Sequence, residues 1–235
     1  MLALKDISLN IPANSFVSLL GPSGSGKSTL IKLVAGIDRP SSGAIRCNGE
    51  LVSGVNSGVA YVPQGRGLFP WMTLLANIEF PLKIAGVPAT ERRRRALEWI
   101  ERVKLGGFEH KFPRQLSGGM EKRGSLARAL IAEKPILLMD EPFGPLDAQT
   151  RLGLQQHLTR LWEEVKGTVL FVTHDVIEAI ALSDLVVVLS ARPGQIMDVV
   201  PVSLPRPRNV LSVPDCEGFA ELHEHLQKLV FHEAI

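Results

Sequence analysis

Apolar runs of strand length alternate with helical patterns through most of this 235-residue chain. "NSFVSLL", "GVAYVPQ", "PILLMD", "TVLFVTHD" and "DLVVVLS" predict strands, several of them apolar on both faces. Strands buried on both faces belong to a mainly parallel sheet with helices packed against it. "LALKDISLNI" and "SGAIRCNGELV" alternate more strictly and carry turn residues, which predicts an antiparallel edge layer. Residues 71–132 are helical in pattern and hold no convincing strand, so a helical subdomain is expected there, inserted into an α/β core of residues 1–70 and 133–204. Within it, "TERRRRALEWIERVKL" reads as a helix with Thr90 at its N-cap. Its run of arginines covers one helical turn and reads as a solvated face. "LPRPRNVLSVPD" predicts a Pro-broken linker ahead of a short amphipathic helix, "EGFAELHEHLQKLVF", within residues 205–235.

Composition narrows the class without changing this picture. The chain is 45% hydrophobic and 21% charged, ordinary for a globular protein with a sizeable core. A net charge of +2 argues against nucleic acid or an acidic membrane surface as a direct partner. Cys47 and Cys216 lie far apart, without Cys or His at metal-ligand spacing, and are expected to be reduced thiols. "MLALKDISLN" lacks the basic stretch and apolar block of a signal peptide. No apolar run approaches the ~20 residues needed to span a bilayer. A membrane role is therefore expected to run through a partner.

The strongest chemical signal is "GPSGSGKST", residues 21–29, between the strand "SFVSLL" and the helical "TLIKLVAGI". It fits G-x-x-x-x-G-K-[ST] in the strand-to-helix context that this phosphate cradle requires. Gly21, Gly24 and Gly26 let the backbone turn its N–H groups inward, with Pro22, Ser23 and Ser25 between them. Lys27 supplies a positive charge for β- and γ-phosphates, Ser28 a hydroxyl for Mg²⁺, and Thr29 a contact to the α-phosphate. "ILLMDEP" then ends a strand in two carboxylates. Asp140 can hold the metal, directly or through water, and Glu141 can accept a proton from an attacking water. His174 in "LFVTHD" ends another strand, where parallel sheets bind ligands. A second Gly-rich turn opens a helix in "QLSGGMEKRGSLARAL", ninety residues downstream, and is also suited to an anion.

Together "GPSGSGKST", "YVPQ", "LSGGM", "ILLMDEP", "FGPLDAQTR" and "VTHD", in this order, resemble the ATP-binding subunit of an ABC transporter across nearly the whole chain. The resemblance implies a P-loop NTPase core with an antiparallel β layer and a helical signature subdomain. It implies two subunits packed head to tail, ATP lying between the 21–29 cradle of one and the signature turn of the other, Leu116, Ser117, Gly118, Gly119 and Met120. ATP and Mg²⁺ are the implied ligands, and a second copy or close paralogue the implied partner. Gln64 would reach Mg²⁺ and the attacking water while its loop touches the membrane subunit. Asp147 would lie at the dimer seam, and His174 would sense the γ-phosphate. "GLFPWMTLLANIEFPL" would offer a groove to a coupling helix of a transmembrane permease. For Phe69 and Trp71, packing inside the subdomain is the competing expectation. An extracytoplasmic solute-binding protein would take part indirectly, and the subunit would sit peripherally on the cytoplasmic face of the membrane. "LFPWMT" and "SARPGQI" look most like the branch importing nitrate, taurine, alkanesulfonates and related small molecules.

The chain departs from the family in four places. Adenine normally stacks on an aromatic residue upstream of the first strand, whereas the only tyrosine here, Tyr61, belongs to another strand. Met120 stands where Gln is common. Glu121 and Lys122 follow where Arg and Gln often occur, and a carboxylate at 121 could oppose an incoming triphosphate. Pro145 stiffens the turn in "FGPLD". A soluble ABC-type ATPase acting on nucleic acid or ribosomes is the alternative on the same fold. Against it stand the near-neutral charge and the lack of a heptad insertion or a second P-loop. A P-loop kinase leaves the signature turn and His174 unexplained, and a GTPase lacks N-K-x-D.

Overall fold

The computed structural model of the protein describes residues 2–65, 67–144 and 146–231. Strand β1 (Phe16–Leu20) leads into helix α1 (Lys27–Val34), followed by two-residue strands β2 (Arg46–Cys47) and β3 (Glu50–Leu51) and by β4 (Val59–Val62). Helices α2 (Leu74–Ile84), α3 (Ala89–Arg102) and α4 (Gly118–Leu130) come next. The chain then alternates through β5 (Ile136–Asp140), α5 (Ala148–Val165), β6 (Thr168–Thr173), α6 (Val176–Leu182) and β7 (Leu185–Leu189), and ends with β8 (Ile196–Pro201) and α7 (Phe219–Phe231).

Six strands form one sheet in the order β4-β5-β6-β1-β7-β8, parallel except for the antiparallel β7–β8 pair. Successive side chains point to opposite faces of a strand, and here both faces are dry. Phe16 and Leu20 of β1, Phe171 of β6 and Val188 of β7 meet α5, α6 and the helical segment in one cluster. Val17, Leu19, Val172 and Leu189 meet α1 in a second. The sheet is a mainly parallel layer between helices, and its β5 and β6 ends lie beside the mouth of β1. That alignment brings the polar residues following each strand to one edge.

The structure departs from several of the expectations the sequence raises. Residues 2–11 form no strand among the described residues; Leu4 makes a single isolated bridge to Gly194, so the antiparallel layer is reduced to the β2–β3 hairpin. Ile7, Leu9 and Ile11 still pack on the second core cluster, which accounts for the alternating pattern without a ladder. The main sheet has β4 at one edge and β8 at the other, and the sequence pattern does not predict β8. Helix α3 begins one residue before Thr90, with Pro88 at the cap position; a fixed φ of −55° suits a helix entry and needs no side-chain cap.

The Pro-broken segment is no loose linker. Arg208 is 4% exposed and donates to the carbonyls of Ile180, Val202 and Leu204. Its pKa falls to about 10, chiefly through burial. Arg206 bonds Asp184 at 2.7 Å and lies 4.3 Å from the Trp162 ring centroid. Two arginines thus lock the chain onto the α5–α6 side before α7 starts.

Candidate active site

Helix α1 starts without a side-chain cap, because Gly26 occupies the cap position in the left-handed region at φ 88°. Its first-turn N–H groups are therefore free of any side-chain acceptor and suited to an anion. A Cβ at Gly26 would fall 2.5 Å from a Leu4 methyl, so a side chain there would have to push Leu4 aside as well as adopt an unfavourable φ. Gly21, Ser25 and Lys27 are buried, Ser23 and Gly24 exposed, and Pro22, Ser28 and Thr29 half-buried. Lys27 Nζ donates to the carbonyls of Gly21 at 2.8 Å and Pro22 at 2.7 Å. Burial lowers the Lys27 pKa, and Glu141 and Asp140 oppose that shift.

The carboxylates stand where β5 stops. Ser28 Oγ donates to Asp140 Oδ1 at 2.8 Å, which joins the α1 hydroxyl to the acid expected to hold metal. Tyr61 Oη lies 3.4 Å from the other oxygen of Asp140, and its pKa is pushed up to about 12 by burial and by that carboxylate. The sequence places Tyr61 on a strand away from the adenine position and gives it no role; its register on β4 beside β5 is what aims it at Asp140. Glu141 turns out of the sheet at φ 41°, a strained conformation for a side-chain-bearing residue, held by its N–H on the Val172 carbonyl. Its two oxygens are shared: Gln64 Nε2 donates to Oε2 at 2.9 Å, and His174 Nδ1 lies 3.5 Å from Oε1. Gln64, Glu141 and His174 therefore meet around one carboxylate, beside the Ser28–Asp140 pair.

The second turn is built differently. Ser117 caps α4 with its own hydroxyl, which accepts from the Met120 N–H at 3.3 Å. Ser117 and Gly118 are exposed, Leu116, Gly119 and Met120 half-buried. A Cβ on Gly119 would lie 2.6 Å from Thr150 Cγ2, and one on Gly118 would lie 3.6 Å from a Leu146 methyl. The turn therefore packs on the start of α5, where exposed Asp147 caps the helix by accepting from Thr150 N–H at 3.0 Å. Hydrogen bonding from the Thr150 side chain, and after it from the Thr150 backbone, holds the Asp147 carboxyl below its ordinary pKa. Glu121 is 9% exposed with an unpartnered Oε1, and lines a cleft of about 380 Å³ with Gln64, Lys122 and Leu146. Pro145 lies outside the described residues. A larger cleft, about 550 Å³, opens between residues 7–13, the β2–β3 hairpin and α1, away from these groups.

Phe69 is half-buried and packs edge-on against Phe80, with Arg128 4.7 Å above its ring. Trp71 stacks on Phe69 yet remains 69% exposed. Buried Asn77 fixes this loop by donating to the carbonyls of Phe69, Met72 and Thr73 and accepting from the Phe69 N–H. One aromatic thus packs against α2 and α4 while the other is presented outward.

Residues 4–144 match the family model described as ABC transporter. The chain belongs to the ABC transporter family. It is 47% identical over 90% of its length to an uncharacterized ABC transporter ATP-binding protein of Methanocaldococcus jannaschii, covering 79% of that protein. It is 42% identical over 94% of its length to the aliphatic sulfonates import ATP-binding protein SsuB of Bacillus cereus, covering 85% of it. Against the nitrate import ATP-binding protein NrtD of Synechocystis the identity is 44%, over 87% of this chain and 77% of that one. A dimeric, post-hydrolysis ATP-binding cassette bound to ADP and Pi superposes with a TM-score of 0.75 at 33% identity, over 85% of this chain and 90% of that one. ABC ATP-binding proteins are ATPases, and this chain is an ATP-binding ATPase of that family. No helix among its described residues is long and apolar enough to cross a membrane.

Proposed function

We propose that this ABC ATPase energises a membrane importer of a small solute of the nitrate, sulfonate or taurine kind. It works as a head-to-tail dimer, with ATP between residues 21–29 of one chain and the signature turn of the other. The observation that carries the reading is the asymmetry of the two turns. One lies beside Asp140, Glu141, Gln64 and His174, while the other is exposed and has its nearest neighbours at the start of α5. The names of SsuB and NrtD support the importer branch, and the dimeric cassettes support the pairing.

On this reading Lys27 exchanges the Gly21 and Pro22 carbonyls for β- and γ-phosphate oxygens, and Thr29 serves the α-phosphate. Glu141 takes the proton of the attacking water, which Gln64 orients and whose target His174 contacts. Ser28 and Asp140 already present hard oxygen donors to one another, and no three His, Cys, Asp or Glu side chains converge among the described residues. They fit a cation that takes its remaining ligands from phosphate and water. With Gln64 they would hold Mg²⁺, which supplies neutralisation of phosphate charge when bound. Asp147 lies at the seam. Residues 71–132 act as the signature subdomain, and the Trp71 face receives the permease on the cytoplasmic side of the membrane. No nucleic acid is involved, and the extracytoplasmic solute-binding protein acts indirectly.

Glu141→Gln tests the mechanism. It should abolish turnover, leave ATP binding intact and accumulate an ATP-bound dimer visible by light scattering. Hydrolysis at the parent rate would remove Glu141 as the base.

A further inference from the structure

Where β4 ends at Val62 the chain leaves the ladder, so the carbonyls of the following loop must find donors elsewhere. Two of them find the same group. Lys122, on α4 and only 8% exposed, donates from Nζ to the carbonyls of Gln64 at 3.0 Å and Gly65 at 2.8 Å. An ammonium carries three donors on one atom and can bridge adjacent carbonyls that one neutral donor could not. The same loop meets α4 a second time: a Cβ on Gly67 would fall 1.8 Å from Ser125 Oγ, so backbone and helix are in direct contact there.

Gln64 is also the residue whose amide bonds Glu141, and α4 is the helix that the signature turn opens. A continuous connection therefore runs from the Ser117 turn, through α4 and the Lys122 ammonium, to the backbone of Gln64 and from its side chain to Glu141. We infer that Lys122 is a positioning residue that couples the signature turn to the Gln64–Glu141 pair of its own chain. The inference rests on the proposed sharing of nucleotide between two copies. Given that sharing, it adds that one site's ATP, by engaging the turn, sets the geometry of the other site's water-activating groups. A helix displaced at its N-terminus carries Lys122 with it, and two charge-assisted hydrogen bonds transmit the shift to the loop. Burial lowers the Lys122 pKa while Glu121 opposes this, consistent with an ammonium placed for contact rather than for solvation.

Lys122→Met removes the donors while keeping most of the volume, and Lys122→Arg keeps charged donors. We expect Lys122→Met to lower kcat on the order of tenfold, as misplaced catalytic groups do, with KM changed less than about twofold. Hydrogen exchange over the peptide containing Gln64 and Gly65 should quicken, and Lys122→Arg should restore most of both. An unchanged kcat, or a kcat loss that merely follows thermal stability and is not rescued by Lys122→Arg, overturns the inference. Should Lys122→Met fail to fold, the graded pair Lys122→Arg and Lys122→Gln carries the same comparison, with arginine the more active. The Glu141→Gln dimerisation assay separates the two levels. Loss of ATP-dependent dimers with Lys122 intact defeats the shared-nucleotide reading itself. Normal dimers alongside a normal kcat in Lys122→Met defeat only the coupling.

Discussion

Two Gly-rich turns in this chain open helices, and each helix carries a buried lysine clasping two loop carbonyls. Lys27 of α1 holds Gly21 and Pro22 of its own turn, while Lys122 of α4 holds Gln64 and Gly65 of another loop. The difference lies in what each turn keeps for itself. The first leaves its helix uncapped and has Asp140 within hydrogen-bond reach of Ser28, so its unmet groups face a place where phosphate and cation chemistry can occur. The second satisfies its own helix with Ser117 and exposes the turn, while its lysine holds the loop that carries Gln64. On the proposed reading, similar local sequence yields a reaction centre in one place and a contact surface in the other, and the strand ends that surround each make the difference.

The comparison can be broken most forcefully at Lys27. Lys27→Ala should weaken ATP binding by at least about 2 kcal/mol, roughly thirtyfold, because the variant forfeits a desolvated charge contact to phosphate. Equilibrium titration of the monomer checks it, and parent-like affinity would contradict the role. At the second turn, Ser117→Arg should leave the monomer's ATP affinity within about twofold while abolishing ATP-dependent dimers, since a bulky cation in an exposed turn obstructs a partner without touching residues 21–29. Weakened binding by the monomer would show that the two turns are not independent.

The smallest effect concerns Glu178, buried behind Asp175, where Gln155 donates to its carboxylate at 2.7 Å. Burial pushes the Glu178 carboxyl up. The folded chain then holds a proton that the unfolded chain has released, so this group makes stability fall as pH rises above the ordinary carboxylate range. Glu178→Gln removes that slope. Its melting temperature relative to the parent should climb as pH rises above the ordinary carboxylate range. A difference independent of pH would contradict the assignment.

Much of the site was legible because its groups sit at strand ends, where a contiguous apolar run announces the residues that follow. "ILLMDEP" and "TVLFVTHD" reveal Asp140, Glu141 and His174 in this way. Contacts between distant loops were not legible. Lys122 reads as one more charge on a polar helix until α4 is laid beside the loop after β4. Glu121 reads as a carboxylate able to oppose an incoming triphosphate, yet it is buried in the cleft beside Gln64 and Lys122. Residues 2–11 show the opposite failure: alternation reports which side chains are buried, not whether the backbone finds a ladder. Arg206 and Arg208 look like linker charges, and their burial depends on carbonyls left unpaired near the end of α6 and after β8.

The most direct measurement mixes two inactive chains. Lys27→Ala lacks a working first turn and Ser117→Arg a working second one. In a mixed dimer one site combines both defects, while the other joins an intact first turn to an intact second turn. An equal mixture should therefore exceed either variant alone. It should reach about a quarter of the parent's activity if the chains pair at random and the two sites act independently, and less to the extent that Lys122 couples them. A mixture no more active than either variant alone would contradict a nucleotide completed by two copies of the chain.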